Sequence, residues 1–233
     1  MREHISGQYD AELDGVRDRV MEMGGVVELL LREAGDALLA LDGDLAESAI
    51  ARDAEVNRLE VLIDDECNRI IARRQPTASD LRLVMSIVKT IPDLERIGDE
   101  GQRVARMALE LSGMEHPKTQ VPELREMIRA CRENLRAALD AFARVAVEDA
   151  VETIARDKQI DAAYKTVLAR LVPLMEADPS QVRPLLNLIW CARSLERIGD
   201  HAKNVCEYVV FLGRGQDVRH LSLEQKRSEA GAD

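Results

Sequence analysis

The chain of 233 residues carries 32 Lys and Arg against 43 Asp and Glu, giving a formal net charge of −11, and only 3% of its residues are aromatic. This acidic balance argues against nucleic-acid binding, which needs a basic face to neutralise phosphates. The scarcity of aromatic residues, together with abundant Ala, Leu, Arg and Glu, excludes a β-sandwich or barrel and favours helices. The composition therefore predicts an all-α protein whose partners carry cations, or are metal ions themselves.

The sequence shows no targeting or membrane segment. The first residues, MREHISGQYDAELDG, are polar, and no apolar run reaches the roughly 18 residues that would span a bilayer. The four cysteines show no CxxC spacing, which is typical of buried free thiols rather than disulfides. We therefore expect a cytoplasmic protein that does not insert into membranes.

Apolar residues recur at three-and-four spacing along almost the whole chain, which predicts long amphipathic helices. The breaks between them fall at Asp42-Gly43-Asp44, at Gln75-Pro76, in a proline-containing linker at 114–121, and at Asp178-Pro179-Ser180. In chain order, the pattern predicts helices over about 6–41, 44–74, 79–112, 122–145, 147–177 and 181–212. The tail from Arg214 to Asp233 is polar, and we expect it to be frayed.

The chain contains an internal repeat. The segment Leu94-Glu95-Arg96-Ile97-Gly98-Asp99 recurs unchanged 101 residues later, and Ile50-Ala51-Arg52-Asp53 recurs 104 residues later. Two matching segments in the same order indicate duplication of a three-helix unit. We therefore expect two tandem antiparallel three-helix bundles, over residues 6–113 and 120–212, with a polar C-terminal tail at 213–233.

The repeated motif places two carboxylates four residues apart on one face of the third helix of each unit. Acidic residues also follow the preceding helix in both halves. Like charges at this spacing repel, so the matching arrangement indicates a bound cation, and oxygen-rich sites prefer Mg²⁺, Mn²⁺ or iron. The candidate metal ligands are Asp53, Glu95 and Asp99 in the first half, and Asp157, Asp161, Glu196 and Asp200 in the second.

Two other interpretations of these acids stay open. They could be solvated faces of a passive helical scaffold, with Arg96 and Arg197 as counter-charges. They could also serve a metal-dependent phosphatase or oxidase. The sequence contains no E-x-x-H pair, no GxxxxGK[ST] or GxGxxG motif and no GxSxG motif. Because no enzymatic machinery is visible, we expect a non-enzymatic protein.

Single residues near the motifs are assigned structural roles. Gly98 and Gly199 lie between the paired acids, where a missing side chain would permit close helix approach. His201 adjoins Asp200, but a lone helical histidine is more often hydrogen-bonded than a metal ligand. Trp190 lies in the most apolar stretch and is expected to serve packing rather than function.

These segments resemble the PhoU family, the accessory regulators of bacterial phosphate transport. Besides the two copies of L-E-R-I-G-D, the similar segments are His4–Gln8, Arg73–Arg82, Cys191–Glu196 and Gly215–His220. The resemblance implies two antiparallel three-helix bundles, a homodimer, and metal sites on E/D-x-x-x-D motifs. It also implies a negative regulator of phosphate uptake and of the phosphate-starvation response. Such an adaptor would link the phosphate ABC importer, especially its ATPase subunit, to the phosphate-sensing histidine kinase.

The two halves depart from each other near the motif. Arg103 and Arg106 stand where the second half has Asn204 and Glu207. We therefore expect the first site to bind metal more weakly, or to be partly filled by an arginine. Pro92 stands at the position that corresponds to an arginine in the second half, so the helix geometry before the first motif is expected to differ.

Overall fold

A computed structural model describes residues 7–114 and 121–231, and within these ranges the protein is all-α. The helices are α1 (Gly7–Ala40), α2 (Gly43–Arg74), α3 (Ala78–Ser112), α4 (Pro122–Arg144), α5 (Val147–Ala177), α6 (Val182–Arg214) and α7 (Leu223–Gly231). A 3₁₀ turn at Pro179–Gln181 precedes α6. Most of the linker predicted at 114–121, and the start of the His4–Gln8 segment, lie outside the described residues.

The helix ends follow local chemistry that the sequence makes visible. The Asp42 side chain accepts a hydrogen bond from the Leu45 backbone N–H at 3.0 Å and caps α2. A cap of this kind stabilises a helix by about 1 kcal/mol. The same helix ends at Gln75, whose left-handed backbone stops it. Pro122 begins α4, at a position where a helix needs no backbone donor. Each predicted break is therefore a real helix boundary.

The six long helices form two three-helix repeats joined along their third helices. Helices α1, α2 and α3 pack together, as do α4, α5 and α6, and α3 packs against α6. These two helices are antiparallel: Glu110 accepts from Asn187 at one end, and Lys89 lies 4.7 Å from the Phe211 ring centroid at the other. The buried apolar residues form one continuous core. The duplicated helical architecture is thereby confirmed.

One expectation about the surface is wrong. The tail was expected to be frayed, but α7 packs against α5, and its Lys226 side chain is buried against Glu207. Trp190, which was expected to serve packing, is 56% exposed. The four cysteines are buried free thiols, as predicted. No helix in the described part of the chain combines the length and apolar composition needed to cross a bilayer.

Candidate functional site

Four carboxylates come together where α2 faces α3, and we name them the first cluster: Asp53, Glu60, Glu95 and Asp99. The negative charge of Asp99 acts on each of the other three. The helices approach closely here, because a Cβ added at Gly98 would lie 3.2 Å from Val56 and 3.5 Å from Asp53 Oδ1. The structure thus assembles the three predicted ligands of the first half and adds Glu60.

Asp53 is the buried member of the first cluster, with 6% of the residue exposed. Its Oδ2 accepts hydrogen bonds from Asn57 Nδ2 at 3.1 Å and Gln102 Nε2 at 3.0 Å. Its Oδ1 is buried and has no hydrogen-bond partner among the described residues. Leaving a buried carboxylate oxygen unpaired costs free energy, so this oxygen suits a cation.

Electrostatic repulsion within the first cluster is poorly compensated. Burial raises the pKa of Asp53 and of Glu95, and the charge of Asp99 raises both further. The adjacent cation, Arg96, lies 3.5 Å from Glu95 and 3.8 Å from Asp99, but 56% of its side chain is exposed. An exposed arginine contributes little to such a pair. The cluster therefore has oxygen donors, an unpaired buried oxygen and a need for positive charge, which fits a hard metal ion.

The second cluster consists of Asp157, Asp161, Glu196 and Asp200, where α5 faces α6. The charges of Asp161 and Asp200 act on both Asp157 and Glu196. Asp157 is 4% exposed, and its Oδ1 also has no hydrogen-bond partner in the described ranges. A Cβ added at Gly199 would lie only 2.6 Å from that oxygen. All four predicted ligands of the second half are thus brought together.

Cationic side chains already reach into the second cluster. Lys203 Nζ lies 2.9 Å from Asp157 Oδ2 and 2.5 Å from Asp200 Oδ1, and Arg193 Nη1 lies 2.7 Å from both oxygens of Glu196. Burial lowers the pKa of Lys203, but its hydrogen bonds to Asp200 and Asp157 outweigh burial and raise it. The ammonium group is therefore charged and supplies the positive charge that a metal ion would bring. The second cluster fits a metal ion less well than the first.

Arg103 and Arg106, either of which was expected to fill the first cluster in part, make their hydrogen bonds to other side chains, although the charge of Arg106 opposes the rise in the pKa of Asp53 caused by burial. Arg103 Nη1 donates to Glu100 at 2.8 Å, and Arg106 Nη2 donates to the Gln102 side chain at 2.9 Å. Neither guanidinium forms an ion pair with a first-cluster carboxylate among the described residues. Among the described residues, a direct ion pair to the buried aspartate is made only in the second half, where Lys203 donates to Asp157.

Asn204 and Glu207, the polar residues of α6 beyond the motif, bind different partners. Asn204 Nδ2 donates to Asp93 Oδ1 at 3.0 Å, across the interface with α3, and Glu207 binds Lys226 of α7. His201 Nδ1 lies 2.6 Å from the same Asp93 oxygen, so it is hydrogen-bonded rather than a ligand of the cluster. These side chains join the repeats and the tail together.

Sequence reasoning missed the two cations of the second cluster. At the repeat offset of 101, Lys203 corresponds to Gln102, and Arg193 corresponds to Pro92. The difference at Pro92 was noted only for its effect on helix geometry. Comparing charges position by position across the repeat would have found both.

Within the described ranges, no group of three or more His, Cys, Asp or Glu side chains is already arranged to hold a metal.

A family model described as the PhoU domain matches the chain twice, over residues 20–108 and 124–209. The chain belongs to the PhoU family. The two matches correspond to the two repeats, each containing one carboxylate cluster.

Comparison with PhoU proteins extends over almost the full length of the chain. It is 47% identical over 227 residues to the phosphate-specific transport system accessory protein PhoU homolog of Pseudomonas aeruginosa, covering 97% of this chain and 93% of that protein. It is 45% identical over 225 residues to the Escherichia coli (strain K12) accessory protein PhoU, with the same coverage.

Solved PhoU structures share the fold. The crystal structure of PhoU from Pseudomonas aeruginosa matches with a TM-score of 0.87 and 45% identity, covering 89% of this chain and all of that one. The phosphate transport system regulatory protein PhoU from Streptococcus pneumoniae matches with a TM-score of 0.83 and 28% identity, covering 90% and 99%.

Proposed function

We propose that this chain is a non-catalytic regulator of phosphate transport, which represses phosphate uptake and the phosphate-starvation response when phosphate is plentiful. The observation that carries the proposal is the likeness, over 97% of the chain, to proteins named as accessories of the phosphate-specific transport system. Long helices with extended exposed faces suit docking onto other proteins. The chain would act in the cytoplasm as a homodimer, on the ATPase subunit of the phosphate importer and on the phosphate-sensing histidine kinase.

The position of the clusters favours an adaptor over a metal-dependent phosphatase or oxidase. An enzyme needs its acid and base groups to face a cavity that holds a substrate. Two grooves in the described part of the chain, of about 300 and 760 Å³, are lined by other residues. Neither groove gives the clustered carboxylates a substrate cavity, so the enzyme remains the second candidate.

The proposed function includes a metal ion, Mg²⁺, Mn²⁺ or iron, held by the first cluster. Asp53, Glu60, Glu95 and Asp99 would provide its oxygen ligands. The ion would supply the positive charge that these carboxylates lack, and would hold α2 against α3. The support is the unpaired Asp53 Oδ1 together with the raised pKa values of Asp53 and Glu95. In the second cluster Lys203 supplies part of that charge, and we propose weaker metal binding there.

A reporter assay tests the regulatory role. A bacterium lacking its own copy of this regulator would carry a phosphate-starvation reporter and express this chain. We expect repression of the reporter in phosphate-rich medium, and recovery of the importer ATPase subunit and the histidine kinase with the tagged chain. A fully active reporter at normal expression of the folded chain would contradict the proposal. Hydrolysis of phosphate esters by the purified chain, with its loss in Asp99→Asn, would instead favour the metal-dependent phosphatase.

Metal analysis tests the first cluster separately. The purified wild type would be compared with Glu95→Gln/Asp99→Asn, with Glu196→Gln/Asp200→Asn, and with the control Glu126→Gln, which removes an exposed carboxylate of α4. We expect stoichiometric metal in the wild type and the control, and its loss in the first double variant. Equal metal in all four proteins, or none in the wild type after incubation with Mn²⁺, would contradict a first-cluster site.

A further inference from the structure

An arginine-lined groove runs between α1 and α4, on helices that contribute nothing to either carboxylate cluster. Its volume is about 760 Å³. The two helices are antiparallel here, with Asp36 beside Arg132 and Gly24 beside Leu139. Leu29 and Leu39 are partly buried in its wall. We name this feature the arginine groove; its charged lining residues are Arg32, Arg125, Arg129, Arg132, Arg136, Glu28, Asp36 and Glu133.

The groove is basic on a strongly acidic protein. Five arginines and three carboxylates line it, whereas the whole chain has a formal net charge of −11. Four of the arginines follow one face of α4 at spacings of four, three and four residues. At 1.5 Å per residue they extend over about 16 Å, or three helical turns. The basic charge therefore forms a stripe along a helix rather than a point.

Part of this positive charge has no local counter-charge. Arg129 is paired with Glu126 and Glu133, and Arg132 with Asp36. In contrast, Arg32 and Arg125 are exposed and form no ion pair with another residue in the described ranges, whereas the exposed Arg136 has Glu28 of the same groove as its nearby counter-charge. Such guanidinium groups retain their planar donor forks, which match carboxylates in two-point hydrogen bonds.

We propose that the arginine groove docks an acidic, amphipathic segment of a partner protein. Carboxylates of that segment would pair with the arginine stripe, and its apolar side chains would pack on Leu29 and Leu39. A small anion would need arginines converging on one point, whereas these lie along three turns. A second copy of this chain would bring the same basic stripe to the same place. The proposal rests on the proposed function, because it supplies a surface by which the adaptor would hold a partner.

Affinity for a defined peptide tests this docking surface. The probe is a synthetic helical peptide with Glu on one face and Leu on the adjacent face, and its Gln analogue is the control probe. Binding of the Glu peptide to the wild type and to Arg125→Gln/Arg136→Gln would be measured by fluorescence anisotropy. The matched control Arg58→Gln/Arg156→Gln removes the same charge from exposed positions of α2 and α5. We expect about tenfold weaker binding by the groove variant and less than about twofold weakening by the control. The Gln analogue should not bind.

Several results would overturn the proposal. Equal weakening in both double variants would show that overall charge, not the groove, attracts the peptide. Unchanged binding by the groove variant would show that the peptide binds elsewhere. Sedimentation with phosphatidylglycerol vesicles, lost only in the groove variant and without peptide binding, would assign the stripe to a membrane surface. A smaller assembly of the groove variant in analytical ultracentrifugation would assign it to a second copy.

The peptide assay and the reporter assay fail independently. A wild type that represses the reporter but does not bind the acidic peptide would contradict the docking surface alone. A wild type that binds the peptide but leaves the reporter active would contradict the regulatory role. The assignment of the arginine groove to an acidic segment would then still stand.

Discussion

The two repeats share three equivalent carboxylates, one on the second helix and two in the motif, but the side chains that compensate these charges differ. In the first, Gln102 donates an amide hydrogen bond to the buried aspartate, Asp53. In the second, Lys203 occupies the equivalent position and bridges Asp157 and Asp200 with a charged group. The difference between glutamine and lysine at this position, together with Arg193 where the first half has Pro92, therefore gives the second cluster cationic partners that the first lacks.

This comparison teaches that a duplicated motif does not make a duplicated site. The motif L-E-R-I-G-D is identical in both halves, and so is the buried aspartate on the preceding helix. The side chains that compensate these acids lie outside the motif. Metal affinity is set by the whole charge balance around the ligands, so the two copies are expected to differ.

The largest effect is expected when the second cluster loses its cation. Lys203→Met removes the ammonium group and leaves Asp157 buried with an uncompensated charge. Because Lys203 is partly exposed, we expect a loss of about 2 kcal/mol in the free energy of unfolding, somewhat below the cost of breaking a fully buried pair. Urea denaturation in chelator would measure it. Lys158→Met, at an exposed position on α5, is the control, and an equal loss there would contradict the bridging role.

Exchanging the two distinguishing side chains should exchange the metal preference of the clusters. Gln102→Lys places an ammonium group beside Asp53 and should weaken Mn²⁺ binding by the first cluster about tenfold. Lys203→Gln should strengthen binding by the second cluster by a similar factor. Titration calorimetry of each variant, in a background where the other cluster carries its double substitution, would separate the two sites. Unchanged Mn²⁺ affinities in both variants would show that this glutamine–lysine difference does not control metal binding by the clusters.

The motif glycines should respond differently to alanine. A Cβ at Gly199 would lie 2.6 Å from Asp157 Oδ1 and 3.0 Å from Ile160, so Gly199→Ala must displace the lysine-bridged carboxylate. We expect a loss of about 1 kcal/mol in the free energy of unfolding. At Gly98 the nearest atom would be 3.2 Å away, and the higher helix propensity of alanine offsets the crowding. Gly98→Ala should change stability by less than about 0.5 kcal/mol. Equal losses in denaturant melts would contradict this asymmetry.

The smallest expected effect is a pH dependence from Asp53. Burial, followed by the charge of Asp99, raises the pKa of Asp53 above its unfolded value. A raised carboxylate pKa gives a contribution to stability that is complete at low pH and is lost as pH increases through the folded pKa. Asparagine stays neutral, so without metal the melting temperature of Asp53→Asn should increase relative to that of the wild type as pH rises above about 4, the ordinary pKa of an aspartate. A constant difference, or the same trend in Asp64→Asn, would contradict this origin.

The helices were largely predictable because their signals are local. Apolar spacing repeats within every turn, and the breaks at Asp42 and Pro122 coincide with observed helix boundaries. Helix α7 could not be recognised in the same way, since its sequence is polar. It is held by packing on α5 and by the pair between Lys226 and Glu207, which joins residues 19 positions apart.

The clustering of the carboxylates was predictable from the sequence, but their charge balance was not. The motif and the preceding helix indicated all seven carboxylates, and the structure brings them into two clusters. Whether a carboxylate is compensated depends on which side chain of a neighbouring helix reaches it. Arg106 and Asn204 lie close to the motifs in sequence, yet the first donates to Gln102 and the second to Asp93.

The sequence by itself determined the helical class, the duplication and the acidic faces, because helical periodicity and residue spacing within one helix depend only on near neighbours. The tertiary structure alone decided that Lys203 also reaches Asp157 on α5, that Asp53 Oδ1 stays unpaired, and that Trp190 is exposed. These outcomes depend on how separate helices rotate and approach one another. Such distances between helices decide whether a buried charge is neutralised by the chain or has to attract an ion.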